Sequence, residues 1–230
     1  FALNEIISYM EMCQREGVSL QRGMNFKISG SHSVILMSVR LNAPYADRFE
    51  DDGSTIIYEG HDVPKDHGHP NPKNVDQLDL LPSGKLTENG KFFQAAIGFK
   101  ENKNQPERVR VYEKIKSGIW SYNGVFHLID SWKEKSDNRL IYKFRLIAVE
   151  GEEDFNLPIP SSIQLRRIIP TKVKLEVWKR DGGKCIQCGA TEDLHFDHII
   201  PWLKGGSSNT PDNIQLLCGK HNLEKHDKIE

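Results

Sequence analysis

The stretch LHFDHIIPWLKGG, residues 194–206, sets His195, Asp197 and His198 within four positions and turns the chain at Pro201. Two imidazoles and a carboxylate so close together can ligate a metal, work as acid and base, or hydrogen-bond one another. Cysteines on either side narrow the choice. Cys185 and Cys188 form a Cys-x-x-Cys pair upstream, and Cys218 is followed at Cys-x-x-His spacing by His221. Three thiolates and one imidazole make the tetrahedral donor set that structural zinc takes. The 29 residues between Cys188 and Cys218 exceed the roughly 12-residue centre of a simple DNA-reading finger. The quoted stretch is therefore an insertion between the two halves of a zinc knuckle.

The longer run RDGGKCIQCGATEDLHFDHIIPWLKGGSSNTPDNIQLLCGKHNLEK, residues 180–225, resembles the HNH nuclease family in its zinc-containing ββα-metal form. The resemblance implies a general base at His198, a metal ligand at Asp197 and a loop clamp at Asn213. It places Asn222 in the catalytic metal site, with His226, four residues on and on the same helix face, as a further ligand. His195 would help orient the phosphate. The chemistry agrees with these residue types. A phosphodiester is anionic and resists hydroxide, so its hydrolysis needs a deprotonated water and a cation on the departing oxygen. An unmetallated His198 accepts a proton near neutral pH, and Asp197 supplies the hard oxygen that Mg²⁺ or Mn²⁺ prefers. Adjacent strand residues face opposite ways, so a bend or bulge is expected if both are to reach one phosphate.

The rest of the chain is that of a globular protein, 37% hydrophobic and 27% charged in 230 residues, enough for two domains. No apolar run approaches the ~20 residues that cross a bilayer, and no signal peptide opens it; a cytoplasmic, non-membrane protein is expected. The net charge of −1 conceals an asymmetry, −3 before Ser161 and +2 from there on, compatible with DNA without arguing for it. A polar, acidic, proline-bearing stretch at 151–162 reads as a linker between domains at 1–150 and 163–230. An α+β chain is expected. Before the linker, LNEIISYMEMCQ (3–14) reads as a helix, with Cys13 an inert buried thiol. ENGKFFQAAIGFK (88–100) reads as another. β-branched and aromatic runs at 32–39, 54–60, 107–113, 124–132 and 139–149 read as strands of a β-barrel or strongly bent sheet. After the linker come a helix at 171–181 with Val173 and Val177 one turn apart, hairpin material, and a terminal helix near 211–226.

Residues 33–62 and 106–149 resemble the SRA, or YDG, domain, a PUA-like bent barrel with flanking helices. They carry the step Tyr58-Glu59-Gly60, an Arg-Val-Arg strand at 108–110, and Tyr122-Asn123-Gly124 where that family often has Tyr-Asp-Gly. The resemblance implies that a modified cytosine is swung out of duplex DNA into a pocket, where aromatic rings stack on it and an acid accepts from its N4 amine. Tyr45 and Tyr58 are then the stacking rings, and Asp47, with Asp51 and Asp52 as competitors, the acceptor. Backbone at Glu59 and Gly60 would close around the 5-substituent, and Arg108 and Arg110 would grip phosphates. The residues alone also allow core tyrosines, a solvated acidic turn and an exposed arginine face.

Together the two resemblances imply a restriction endonuclease that recognises 5-methylcytosine or 5-hydroxymethylcytosine in double-stranded DNA and cuts nearby. One centre cuts one strand, so a homodimer is expected. The alternatives are an HNH nuclease reading unmodified or otherwise modified DNA, and a catalytically silent zinc-containing DNA-binding module. Intact Asp197, His198 and Asn213 weigh against silence.

Overall fold

A computed structural model describes residues 2–28, 30–50, 53–65, 71–149 and 168–225. Along the chain run β1 (Ile6–Ser8), α1 (Tyr9–Glu16), β2 (Met24–Ile28), β3 (His32–Met37), β4 (Arg48–Glu50), β5 (Thr55–Glu59), α2 (Glu88–Lys100), β6 (Glu107–Lys116), β7 (Ile119–Ser136) and β8 (Arg139–Ala148). The C-terminal unit adds α3 (Thr171–Arg180), β9 (Leu194–His198), β10 (Ile214–Cys218) and α4 (Gly219–Lys225). The fold is α+β.

The first eight strands make one sheet in the order β2-β3-β6-β7-β8-β5-β4, with β1 added alongside β7. Strand β7 is 18 residues long and serves three neighbours, pairing with β6 and β1 through its first half and with β8 through its second. Register shifts on both sides bend it, as bulges do. Among the described residues the sheet path has two ends, β2 and β4, so the architecture is a strongly bent sheet. The parallel pair β3–β6 demands a crossover, and α2 lies within it. Thr87 caps α2 by accepting from Gly90 N–H, and Phe92 and Ala96 enter the core beside Ile35, Val109, Phe126 and Phe144.

Two expected helices are shorter than the periodicity implied. Residues 6–8 pair with β7, Ile6 opposite Ser121 and Ile7 opposite Trp120, because the β-branched pair has a sheet edge to join. The helix begins only at Tyr9, where Ser8 and Glu11 close a capping box. Cys13 is half-buried in α1, with its Sγ accepting from Leu20 N–H at 3.4 Å. Near the C-terminus, Ile214–Cys218 is a strand against β9 and the helix begins only at Gly219, running among the described residues to Lys225.

The two units interlock at their ends. Phe196 N–H donates to Asn4 O at 3.1 Å, Glu5 bridges His195, and Ile6 packs against the C-terminal clusters. In return Ile168 packs into the core of the large sheet. The expected linker at 151–162, together with Asp51, Asp52 and His226, lies outside the described residues. Among the described residues no helix is long and apolar enough to cross a membrane.

Candidate functional site

The cysteine knuckle is assembled by local turns. Cys185 N–H donates to Ala190 O, Gly189 N–H returns to Cys185 O, and Ile186 N–H ties the turn to Leu216 O of β10. Cys218 ends β10 and His221 sits in the first turn of α4. The four donor atoms lie within 4.8 Å of one another. His221 Nδ1 is 3.3 Å from Cys185 Sγ and 3.4 Å from Cys218 Sγ, and the Cys188 and Cys218 sulfurs are 3.9 Å apart. A zinc with bonds of about 2.3 Å to sulfur sets sulfur–sulfur edges of about 3.8 Å, so the cluster fits that ion. Burial pushes the Cys185 thiol up, but backbone N–H groups and His221 outweigh it and pull the thiol down to about 6, towards the thiolate a metal needs.

Strands β9 and β10 pair in unbroken register, His198 opposite Ile214 and Asp197 opposite Gln215. The expected bulge between Asp197 and His198 is absent. His198 is instead the last strand residue, so the following loop decides its surroundings. That loop is stitched by Asn213, whose Nδ2 donates to Ile200 O and Ser207 O, both at 3.0 Å, while its Oδ1 accepts from Ile200 N–H at 2.8 Å. A Cβ at Gly206 would collide with the Ile200 carbonyl, so glycine is required there. The clamp brings buried Ser208 to the imidazole, with Oγ 2.8 Å from His198 Nε2. Burial, with Lys225 nearby and against the pull of Asp197, holds the His198 pKa below its ordinary value.

Asp197 accepts from Lys225 Nζ at 3.0 Å and from Gln215 Nε2 at 3.1 Å, both on Oδ2. Lys225, buried at the end of α4, also donates to His198 O at 2.7 Å. It thus ties both residues of the Asp-His pair to the helix that carries half-buried Asn222. Sequence reasoning missed Lys225 and Ser208. The only signal for Lys225 is its i+3 spacing from Asn222 on one helix face. His195 departs from expectation. It is 4% exposed, its Nε2 lies 3.2 Å from Asp193 Oδ1, and its backbone pairs with that of Glu5. Its ring is buried within the hairpin rather than exposed on it.

A second site opens on the large sheet. A cleft of about 560 Å³ is lined by Gly23, Ser38, Tyr45, Asp47 and His61. Tyr45 and His61 stack with centroids 4.9 Å apart and planes 8° from parallel. Burial drives the His61 imidazole down to about 4, so it is neutral, and its Nε2 lies 2.9 Å from Tyr58 Oη. The Asp47 carboxylate accepts from Ser38 N–H and Glu59 N–H, each at 3.1 Å. Burial pushes its pKa up to about 7 against those two bonds.

Other expected pocket residues lie elsewhere. Tyr58 is 1% exposed within the core cluster because all of β5 is covered; His61, not Tyr58, lines the cleft. Glu59 turns to Lys143 at 3.0 Å. Gly60 donates its N–H to Tyr142 O and its carbonyl accepts from Gln77 Nε2, and it is glycine because Asn89, Gln77 and Tyr142 crowd its Cβ position. Arg110 pairs with buried Glu16 at 3.3 Å and Arg108 lines a different cleft, so neither borders this one. The basic side chains that do are Arg22, Arg40 and Lys114.

Residues 185–228 match the family model described as HNH endonuclease. No curated protein matches the chain. Among solved structures, the chain is similar to the SRA domain of SUVH5 in complex with hemi-methylated CG DNA, at 22% identity over 69% of this chain and 94% of that one, with a TM-score of 0.45. It is also similar to the modification-dependent TagI restriction endonuclease, at 18% identity over 97% of this chain and 76% of that one, with a TM-score of 0.44. A third is KRYPTONITE in complex with mCHG DNA, at 18% identity over 68% of this chain and 34% of that one, with a TM-score of 0.41. By the match over its last cysteines and histidines, the chain carries an HNH endonuclease domain at its C-terminal end.

Proposed function

We propose that this protein is a modification-dependent endonuclease, in which the bent sheet reads an extruded modified cytosine and the HNH domain hydrolyses a phosphodiester nearby. The observation that carries the reading is a cleft pairing stacked rings with a buried carboxylate, in one chain with an HNH centre. A base leaving the duplex needs a π-face and an acceptor for its amine. Tyr45 and His61 supply the first and Asp47 the second. Arg22, Arg40 and Lys114 would meet the backbone around the gap the base leaves.

At the HNH centre, His198 is neutral at ordinary pH and takes the proton of the attacking water. Ser208 holds its ring, and Asn213 holds the loop that carries Ser208. Asp197 and Asn222, with His226, would hold a divalent cation, Mg²⁺ or Mn²⁺, whose charge offsets that building on the departing oxygen. Each centre cuts one strand, so two copies complete a double-strand break.

Asp47 makes base reading depend on pH. A group with a pKa of about 7 is mostly protonated at about pH 6 and mostly ionised at about pH 8, a roughly tenfold rise in the fraction able to accept from N4. Affinity for modified duplex should rise by up to that factor across this range, while affinity for unmodified duplex stays flat. Fluorescence anisotropy with the His198→Ala variant, which binds without cutting, measures both. A modified-to-unmodified affinity ratio that stays constant with pH would show that Asp47 does not read the base.

A further inference from the structure

One buried polar cluster, unused by the chemistry above, joins the two units. Lys174 of α3 and Glu113 of β6 are both 0% exposed, as is Asn123 of β7. Lys174 Nζ donates to Glu113 Oε2 at 2.9 Å and to Asn123 Oδ1 at 2.6 Å. Asn123 Nδ2 donates to Glu113 Oε2 at 3.0 Å, and Thr171 Oγ1 donates to Glu113 Oε1. Asn123 is the extra residue of a β-bulge, between the pairs Tyr112–Tyr122 and Val111–Gly124, and Gly124 takes a φ of 91° to allow it. Bulges re-aim a side chain, and this one delivers an amide to an ammonium from the other unit.

A buried ion pair adds little net stability, since desolvation offsets most of its attraction, but it strongly disfavours every geometry that separates the charges. Its position matters here. Lys114, next to Glu113 on β6, lines the base cleft, as does Trp120 at the start of β7. On the other side, α3 packs Val173 and Val177 against Phe196, Ile214 and Leu216, the hairpin that ends in Asp197 and His198. An unbroken series of packed elements therefore runs from the cleft, through the cluster, to the catalytic hairpin. The contacts of Asn4 and Glu5 with β9 brace the same junction.

We infer that the Glu113–Asn123–Lys174 cluster fixes the reach from base cleft to HNH centre, and so sets the position of the cut relative to the recognised base; this rests on the modification-dependent reading. None of the three lines the base cleft, and they act as positioning residues. The paired replacement Glu113→Gln with Lys174→Met removes both charges without stranding one. On a duplex carrying a single modified cytosine, the parent should cut at one preferred spacing. The double variant should lose that preference and spread its cuts over several neighbouring phosphodiesters, while keeping its affinity for modified DNA and its zinc. Asn123→Ser, which keeps the ion pair, should broaden the cuts less and serves if the double variant does not fold. A folded double variant, or a folded Asn123→Ser variant standing in for it, that keeps the parent's sharp spacing would overturn the inference. A parent that cuts modified and unmodified duplex alike would instead defeat the functional reading, and this inference with it.

Discussion

Stripping zinc from the protein should unfold the C-terminal unit and abolish cleavage. Among the described residues that unit's apolar content is two small clusters, one around Phe196 and Leu216 and one around Cys185, Leu194 and Leu217. Chains of its length rarely sustain a core without a staple. The cluster of Cys185, Cys188, Cys218 and His221 cross-links the knuckle to the end of β10 and the start of α4. Zinc bound by such a set contributes an apparent ~10–16 kcal/mol, nearly all of it folding free energy. Loss of the metal should therefore release the β9–β10 hairpin and with it the clamp around His198. The large sheet has its own core and should persist, so the stripped protein should melt in a single transition, that of the sheet alone. Cys218→Ser should behave like the chelated protein. A protein purified without tightly held zinc, or one whose melting a strong chelator leaves unchanged, would refute the assignment.

His198→Ala should lower the cleavage rate by about 10²–10⁴-fold, the usual worth of a general base, while affinity for modified DNA stays the same. The base acts on the attacking water and contributes little to ground-state binding. His198 stands between Asp197 and the clamped loop, with Ser208 2.8 Å from its Nε2. Single-turnover cleavage and equilibrium binding separate the two effects. A variant that cuts within a few-fold of the parent would remove His198 from the role. His195→Ala is the informative companion. Its ring is buried, so that change should lower stability rather than the rate of folded enzyme.

What could be read directly from the sequence was local. The zinc donors declare themselves through spacing and Asn213 through the resemblance to HNH nucleases, because a knuckle and a tight loop are built from neighbours. Helix α2 was legible to the residue because Thr87 caps it and turns flank it. The base cleft was not legible in this way. Tyr45 and His61 meet from separate loops, and Arg22 and Lys114 arrive from further still. Tyr58 misled because β5 is buried on both faces, so alternation marks no solvent side. Arg110 looked exposed until Glu16, 94 residues away in sequence, neutralised it from α1. Of the junction only Asn123 was marked, in the step Tyr122-Asn123-Gly124; its partners Glu113 and Lys174 had no sequence signal, since a buried lysine and a surface lysine are spelled alike.

The central claim is that modification of a cytosine licenses cleavage. Three duplexes of identical sequence, carrying cytosine, 5-methylcytosine or 5-hydroxymethylcytosine at one position, should be incubated with the zinc-loaded protein and Mg²⁺ or Mn²⁺, and the products sized at nucleotide resolution. Cleavage near the modified base, with the plain cytosine duplex left intact, is the predicted result. Equal cutting of all three duplexes, or cutting of none of them by the folded zinc-loaded protein, would contradict the account.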